Sequence, residues 1–256
     1  MNVGIYQAAS GMRSSMDRQA SIASNLARQT IPGARQSIAA FAVKDDTSVN
    51  NRVRGEISPK VVSKNFSIYT DVATDFTSGP ITQSGDPLHF AIQGNNSFFR
   101  IRDKSTGSEL ITRNGSFYRA TDGRVLTTDG DAVLTEGGTP LTVASASSFD
   151  VDEQGRIQID GTDAGKMGLV HFDNPSAALA DAGNGRYVPV KDDLKLPGMG
   201  TEDLVLQRSL EYGNTDVVGS AITMMQALRL FEANQKSLAS QDDVTGKLLR
   251  TVGEKV

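Results

Sequence analysis

From Asn214 to Val252 the apolar residues Val217, Val218, Ala221, Ile222, Met224, Met225, Leu228, Phe231 and Leu238 recur at helical spacing, continuing more loosely through Val244, Leu248 and Leu249. Gaps of three and four residues are the period of one face of an α-helix. Asn214 or Thr215 can cap its start, because a short polar side chain there accepts from the backbone N–H groups that the first turn leaves unpaired. At 1.5 Å per residue such a helix runs roughly 50 Å, longer than a compact domain of this size needs to cover its own core. A stripe of that length asks for a partner.

A matching stripe lies at the other end of the chain. Ile5, Ala9, Met12, Met16, Gln19, Ala23 and Leu26 follow one another at gaps of four and three, a heptad seam broken only by Gln19. Asn2 can cap this helix, and Pro32-Gly33 stops it. Both seams are rich in Ala and Met, a surface that packs closely yet adapts to several differently placed neighbours. Periodicity alone leaves two readings open. Each stripe packs inside its own domain, as most do, or it waits for another molecule.

Composition narrows the field. The 256 residues carry 38% hydrophobic side chains, no Trp and no Cys. The length suffices for one large or two modest domains, and the fold uses neither disulfides nor thiolate metal sites. A formal charge of -4 gives no electrostatic reason to expect nucleic acid or an anionic membrane surface. No apolar run approaches the ~20 residues of a spanning helix, which argues against lipid insertion. The amino terminus shows no charged region followed by an apolar one, so no cleaved secretory signal is expected, and if the protein leaves the cytoplasm something other than the general secretory route carries it.

Between the two helices the pattern changes twice. Ser37 to Val43 reads as helix or strand, Asp45 to Arg54 as a polar loop, and the loosely alternating residues 57–82 as extended connecting structure. From Leu88 to about Leu206 the chain is written in short β-prone runs. Leu88–Ile92, a Gly94-Asn95-Asn96 turn and Phe98–Ile101 have the form of a hairpin. Leu110–Thr112, Ser116–Ala120, Val125–Thr127 and Ala132–Leu134 are separated by Asn114-Gly115, Asp122-Gly123 and Asp129-Gly130, dipeptides that supply positive φ at little steric cost. Leu141–Val143, Phe149–Val151, Ile157–Ile159, Leu169–Phe172 and Tyr187–Val190 continue the series, while 183–185 and 197–200 read as loops. The expected fold is α+β: long N- and C-terminal helices form a coiled-coil-like layer, and an antiparallel all-β domain is inserted between them. In residue terms, 1–35 with 210–256 make the helical assembly domain, 36–80 the connecting segment and 81–209 the β domain.

Chemistry is hard to assemble from these residues. His89 and His171 are the only imidazoles, and both sit in apolar strand runs. No G-x-S-x-G frames a serine, and no Cys stands in as nucleophile. Asp150, Asp152, Gln154 and Gly155 imitate the first positions of a calcium loop, but Gly161 occupies the twelfth, where a bidentate Glu closes the shell. No P-loop or dinucleotide fingerprint is present. Arg52, Arg54, Lys60 and Lys64 form a weak basic run that reads as a solvated face. Neither a catalytic residue nor a metal or cofactor site is assigned, and no enzyme activity is expected.

The termini do match a known pattern. Ile5-Tyr6-Gln7-Ala8-Ala9-Ser10-Gly11-Met12, then Asn25-Leu26-Ala27 and Pro32-Gly33, resembles the amino-terminal signature of bacterial flagellar rod and hook proteins, approximately Y-x-A-x-S-G-M followed by N-L-A-N-x-x-T-x-G-[FY]-K. Leu210-Glu211-Tyr212-Gly213-Asn214-Thr215, with Met224, Gln226, Arg229, Phe231-Glu232 and Asn234, is similar to that family's carboxy-terminal patterns L-E-x-S-N-V and M-x-x-x-Q-R-x-[FY]-E-x-N. Ile92-Gln93-Gly94 with Phe98-Phe99, then Thr112 through Phe117, resembles the start of the family's β domain. The chain departs from the signature at Arg28, where the family has Asn, at Ala34, where it has an aromatic, at Gly213, where it has Ser, and at Ala227-Leu228, which split Gln-Arg. Within the family, the length and the lack of a glycine-rich insert in residues 45 to 65 point to the proximal rod protein, with the distal rod protein second.

The resemblance implies a structural subunit that polymerises into a hollow helical tube, transmitting torque and passing exported subunits. Its partners would be other copies, neighbouring rod proteins of the basal body and the flagellar export apparatus, and its place the basal body, spanning the periplasm. The assembly interface would comprise Ile5, Ala9, Met12, Met16, Ile22, Leu26, Val218, Ile222, Met225, Leu228, Phe231 and Leu238. Tyr6, Ser10, Gly11, Asn25, Gly33, Leu210, Glu211, Asn214, Arg229 and Glu232 are the motif positions. A β-domain enzyme or binding module on a helical stalk, or a tube protein of another secretion or phage system, are the alternatives.

Overall fold

The computed structural model describes residues 3–45, 66–144, 148–190 and 203–253. The polar run that follows Asp45, the basic residues Arg52, Arg54, Lys60 and Lys64, the cap Asn2 and the loop 197–200 lie outside the described residues. The chain divides into two compact units, one of Met1–Ser24, Ser37–Ala73 and Val217–Val256, the other of Asn25–Gln36 and Thr74–Asp216.

The first unit holds helix α1 (Val3–Arg28, whose last turn belongs to the other unit), the paired strands β1 (Gln36–Asp45) and β2 (Phe66–Asp75), and the 37-residue helix α3 (Val217–Gly253). The stretch read as helix or strand is thus a strand, and much of the connecting segment is its pair. On α3 the buried residues are small, Ser220 and Ala227, whereas α1 buries Ala8 and Ser15 together with the larger Ile22 and Asn25. Gly11 touches Asn234, where an added Cβ would stand 3.0 Å from the amide nitrogen. Ser15 and Thr223 each donate their hydroxyl to the carbonyl four residues back, which keeps it satisfied on a packed helix face.

The second unit is antiparallel. Its strands are β3 (Ile81–Gln83), β4 (Phe90–Gln93), β5 (Ser97–Arg102), β6 (Glu109–Thr112), β7 (Phe117–Arg119), β8 (Val125–Thr127), β9 (Ala132–Val133), β10 (Phe149–Val151), β11 (Arg156–Ile159), β12 (Thr162–Lys166) and β13 (Leu169–His171). The short helix α2 (Pro175–Ala178) then leads to β14 (Leu179–Gly183), β15 (Arg186–Pro189), β16 (Leu204–Gln207) and β17 (Ser209–Glu211). Eight strands form one sheet in the order β14-β15-β6-β5-β9-β8-β7, with β13 also on β5. Strand β5 is its centre because its alternating side chains serve two cores. Phe99 and Ile101 enter a cluster with Phe90, Phe117, Val125, Ile157 and Val205, while Phe98 enters another with Phe76, Ile111, Val170 and Tyr187.

Two turn readings and one strand reading need correction. The runs flanking Gly94 do not form a hairpin: β4 pairs with β16, whereas β5 pairs with β6, β9 and β13. Gly94 has φ 128°, and the chain there leaves one sheet for another. Gly115 has no positive φ; its missing side chain lets Phe90 O approach to where a Cβ would be 1.8 Å away. Residues 141–143 make backbone bonds to Val125, Val133 and Gly123 without forming a regular strand. Asp122-Gly123 and Asp129-Gly130 do turn β7 into β8 and β8 into β9, with φ 85° and 89° at the glycines.

Candidate functional site

The motif residues on either side of the helices converge inside the β unit. After α1 the chain turns through Gly33, whose φ of 67° and bare Cα are both required, since a Cβ would sit 2.4 Å from the Arg113 carbonyl. Gly33 N donates to Glu211 O at 2.7 Å, joining the segment that leaves α1 to the strand that leads toward α3. Three residues further on, Gln36 N donates to Asn214 Oδ1 at 2.8 Å, and the Asn214 amide donates to the carbonyls of Asp75 and Thr77 at 3.0 and 3.1 Å. Asn214, which the sequence offers together with Thr215 as a cap, therefore does not cap the helix. Helix α3 starts at Val217, because this side chain is already committed to two other segments.

Beneath this seam lies a buried ionic cluster. The Glu211 carboxylate accepts from Arg113 Nε at 2.6 Å and from Gly79 N at 2.9 Å, and stands 2.8 Å from Arg35 Nη1. The side chains of Arg35 and Arg113 are 0% exposed and that of Glu211 is 1%. Arg113 donates further to the carbonyls of Ile92, Gly94 and Ser97, which holds the β4–β5 crossing in place. Burial lowers the Arg113 pKa, and the charge of Glu211 opposes that shift.

The departures from the motif meet here too. Ala34 and Gly213 face each other, with a Cβ on Gly213 falling 3.2 Å from Ala34 O. The two small residues are thus a matched pair. Arg28 finds a local partner in Asp181 of β14 at 3.3 Å.

The expected interface residues divide by exposure. Val218, Ile222, Met225 and Leu228 are between 45% and 70% exposed on α3, and Met16 is 57% exposed on α1. Ala9 is exposed, Met12, Leu26, Phe231 and Leu238 are half-buried, and Ile22 is buried. The side chains of Ile5 and Tyr6 fall outside the described residues. Of the other motif positions, Gly11, Gly33, Asn25, Leu210 and Glu211 are packed, Ser10 bonds within its own helix turn, and Arg229 and Glu232 are exposed with no ion pair between them. Arg35, Arg113 and Asp203 were not singled out from the sequence. Arg113 lies inside the Thr112–Phe117 motif, and a charged residue framed by apolar strands was the available signal.

One polar trio has the composition of a hydrolase relay. Ser97 Oγ lies 3.2 Å and Asp203 Oδ2 2.8 Å from His171, and Ser97 also donates to Asp203. Both contacts fall on the same ring nitrogen, Nδ1, whereas a relay needs the hydroxyl and the carboxylate on opposite nitrogens. Ser97 is also fully buried. The trio braces β5, β13 and the start of β16. His89 bonds to Ser84, and Asp152 accepts from the backbone of Gln154 and Arg156 in a tight turn. Among the described residues no cluster of acidic or imidazole groups could hold a metal, and no helix is long and apolar enough to cross a membrane.

Comparison with known proteins agrees with this arrangement. Residues 91–159 match the flagellar hook protein FlgE/F/G D1 domain, and residues 206–251 match the flagellar basal body rod FlgEFG protein C-terminal region. The flagellar basal-body rod protein FlgG of Bacillus subtilis is 29% identical, covering 96% of this chain and 97% of its own. FlgF of Caulobacter vibrioides is 29% identical over 75% of this chain and 74% of its own, and FlgF of Rhizobium meliloti 26% over 99% of each. With part of the β unit matched by one family model, β17 and most of α3 by the other, and relatives aligned along nearly the whole length, the chain is similar from end to end to the flagellar basal-body rod proteins.

Proposed function

We propose that this chain is a structural subunit of the bacterial flagellar basal-body rod that polymerises through α1 and α3 into a hollow helical tube. The observation that carries the reading is the exposed row Val218, Ile222, Met225 and Leu228 on a helix that already buries Ser220 and Ala227. Small residues pack within the chain, and large apolar ones stay in water. Burial of a Leu or Ile side chain is worth about 1.5–3 kcal/mol, so four such side chains supply a large contact energy once neighbours cover them. One face meeting a different face of the next copy builds an open helix rather than a closed ring, which is the geometry of a rod.

In this reading the β unit is a scaffold without catalytic work, and its partners are other copies and neighbouring rod proteins. The subunit reaches its place through the flagellar export apparatus and works in the part of the basal body that spans the periplasm. Relatives named FlgG and FlgF are both 29% identical to this chain, so the proximal-rod position rests on residues 45–65, where Gly55 is the only glycine.

Leu228→Asp tests the proposal. Leu228 is 45% exposed, so the isolated chain should lose less than about 1 kcal/mol of stability. The variant should fail to restore motility to a strain lacking the subunit. Motile cells carrying it would refute the assignment of this face to assembly.

A further inference from the structure

The cluster beneath the helix junction holds two guanidiniums and one carboxylate, and the two arginines are not equivalent. Arg113 makes four hydrogen bonds with all three of its guanidinium nitrogens, to Glu211 and to three backbone carbonyls. Arg35 is equally buried, yet none of its three guanidinium nitrogens has a hydrogen-bond partner among the described residues. Its contact with Glu211 Oε1 is close enough for an ion pair and off line for a hydrogen bond. Glu211 does not need it, being held already by Arg113 and by the Gly79 amide. A buried charge with unmet donors works against stability, and an apolar side chain of similar volume would do as well or better. The residue calls for another explanation.

The backbone supplies one. Gly33 N bonds to Glu211 O, and Gln36 N bonds to the Asn214 side chain, so the two segments advance together, three residues on each side. Arg35 lies between these bonds and reaches back to Glu211. If the segments slipped by one residue, its charge would be buried away from the only carboxylate in the cluster. A buried ion that penalises the wrong register is a known device for specifying alignment.

We propose that Arg35 is a positioning residue, which locks the segment leaving α1 in register with the segment leading to α3. It thereby sets the spacing of the two points at which the helical ends leave the β unit. The inference rests on the reading of those helices as an assembly surface, because subunits that differ in this spacing cannot repeat along a rod.

The test uses the full chain with Arg35→Met and Arg35→Lys. The Met variant should unfold at the same temperature as the parent or higher, exchange its Gly33 amide at least about tenfold faster while the β5 amides stay protected, and fail to restore motility. The Lys variant, which keeps the charge, should recover part of the Gly33 protection and of the motility. A Met variant that unfolds at a lower temperature would show Arg35 to be an ordinary stabilising residue and overturn the proposal. So would unchanged Gly33 exchange together with full motility. Leu228→Asp separates the two ideas: if it is motile the assembly reading fails, whereas the Gly33 measurement judges Arg35 independently.

Discussion

Replacing Glu211 with Gln keeps the volume of the side chain and removes its charge. The carboxylate is 1% exposed and is shared by Arg113, Arg35 and the Gly79 amide. In the variant the amide oxygen can still accept one of these bonds, but both buried guanidiniums lose their counter-ion. Removing one partner of a buried pair costs about 3–5 kcal/mol, because the remaining charge stays out of water uncompensated. Against a total of roughly 5–15 kcal/mol for a folded domain, that is a large share. At about 2–4 °C per kcal/mol for a unit of this size, the unfolding midpoint should fall by about 6–20 °C. Thermal unfolding followed by far-UV circular dichroism, with urea unfolding at 25 °C, reads both quantities. Adding Arg35→Met to Glu211→Gln removes one of the two orphaned charges and should recover part of the loss, a non-additivity that a double-mutant cycle measures. A loss below about 1 kcal/mol for Glu211→Gln would place the cluster with solvated surface pairs and refute the argument from burial.

Other outcomes follow from single contacts. Gly94→Ala should cost about 2–4 kcal/mol in urea unfolding, since it combines strain at positive φ with a Cβ driven into a packed carboxylate. That Cβ would lie 1.9 Å from Asp203 Oδ1, so the contacts of Asp203 with Ser97 and His171 should loosen with it; unchanged stability would mean that Asp203 is free to move. Asp103 and Asp122 have pKa values lowered from 3.8, the first by the Ser105 and Thr106 amides and the second by the Arg124 amide. A carboxyl with a depressed folded value contributes stability above 3.8 and loses it as the pH falls through the folded value. Asp103→Asn should therefore shrink the acid-induced loss of stability below that pH, and an NMR titration placing both groups at 3.8 would contradict the turn geometry.

Much of the architecture was legible in one dimension because it depends on local periodicity. The long helix at 217–253, the helix at 3–28 and the short strands between them follow from gaps of three and four, alternation and Asp-Gly turns. The motif residues Gly33, Glu211 and Asn214 were visible as well, though not their work. Asn214 reads as a cap from its neighbours and proves to be a clamp on residues 36, 75 and 77, which no local pattern encodes. The hairpin expected at Gly94 failed for the same reason. Which strand completes a ladder is decided by a segment more than a hundred residues away, here β16 on β4.

The helices show the division most clearly. Sequence determined that both ends are amphipathic, because large apolar side chains at gaps of three and four line up as one stripe along a helix. Tertiary structure decided which face packs at home. Ala8, Ser15, Ile22, Ser220 and Ala227 are buried and Gly11 lies against Asn234, while Val218, Ile222, Met225 and Leu228 stay exposed. A hydropathy pattern registers the large residues and passes over the small ones. The ionic cluster of Arg35, Arg113 and Glu211 has the same origin: three charges separated by up to 176 positions in sequence meet only because the fold removes them from water together.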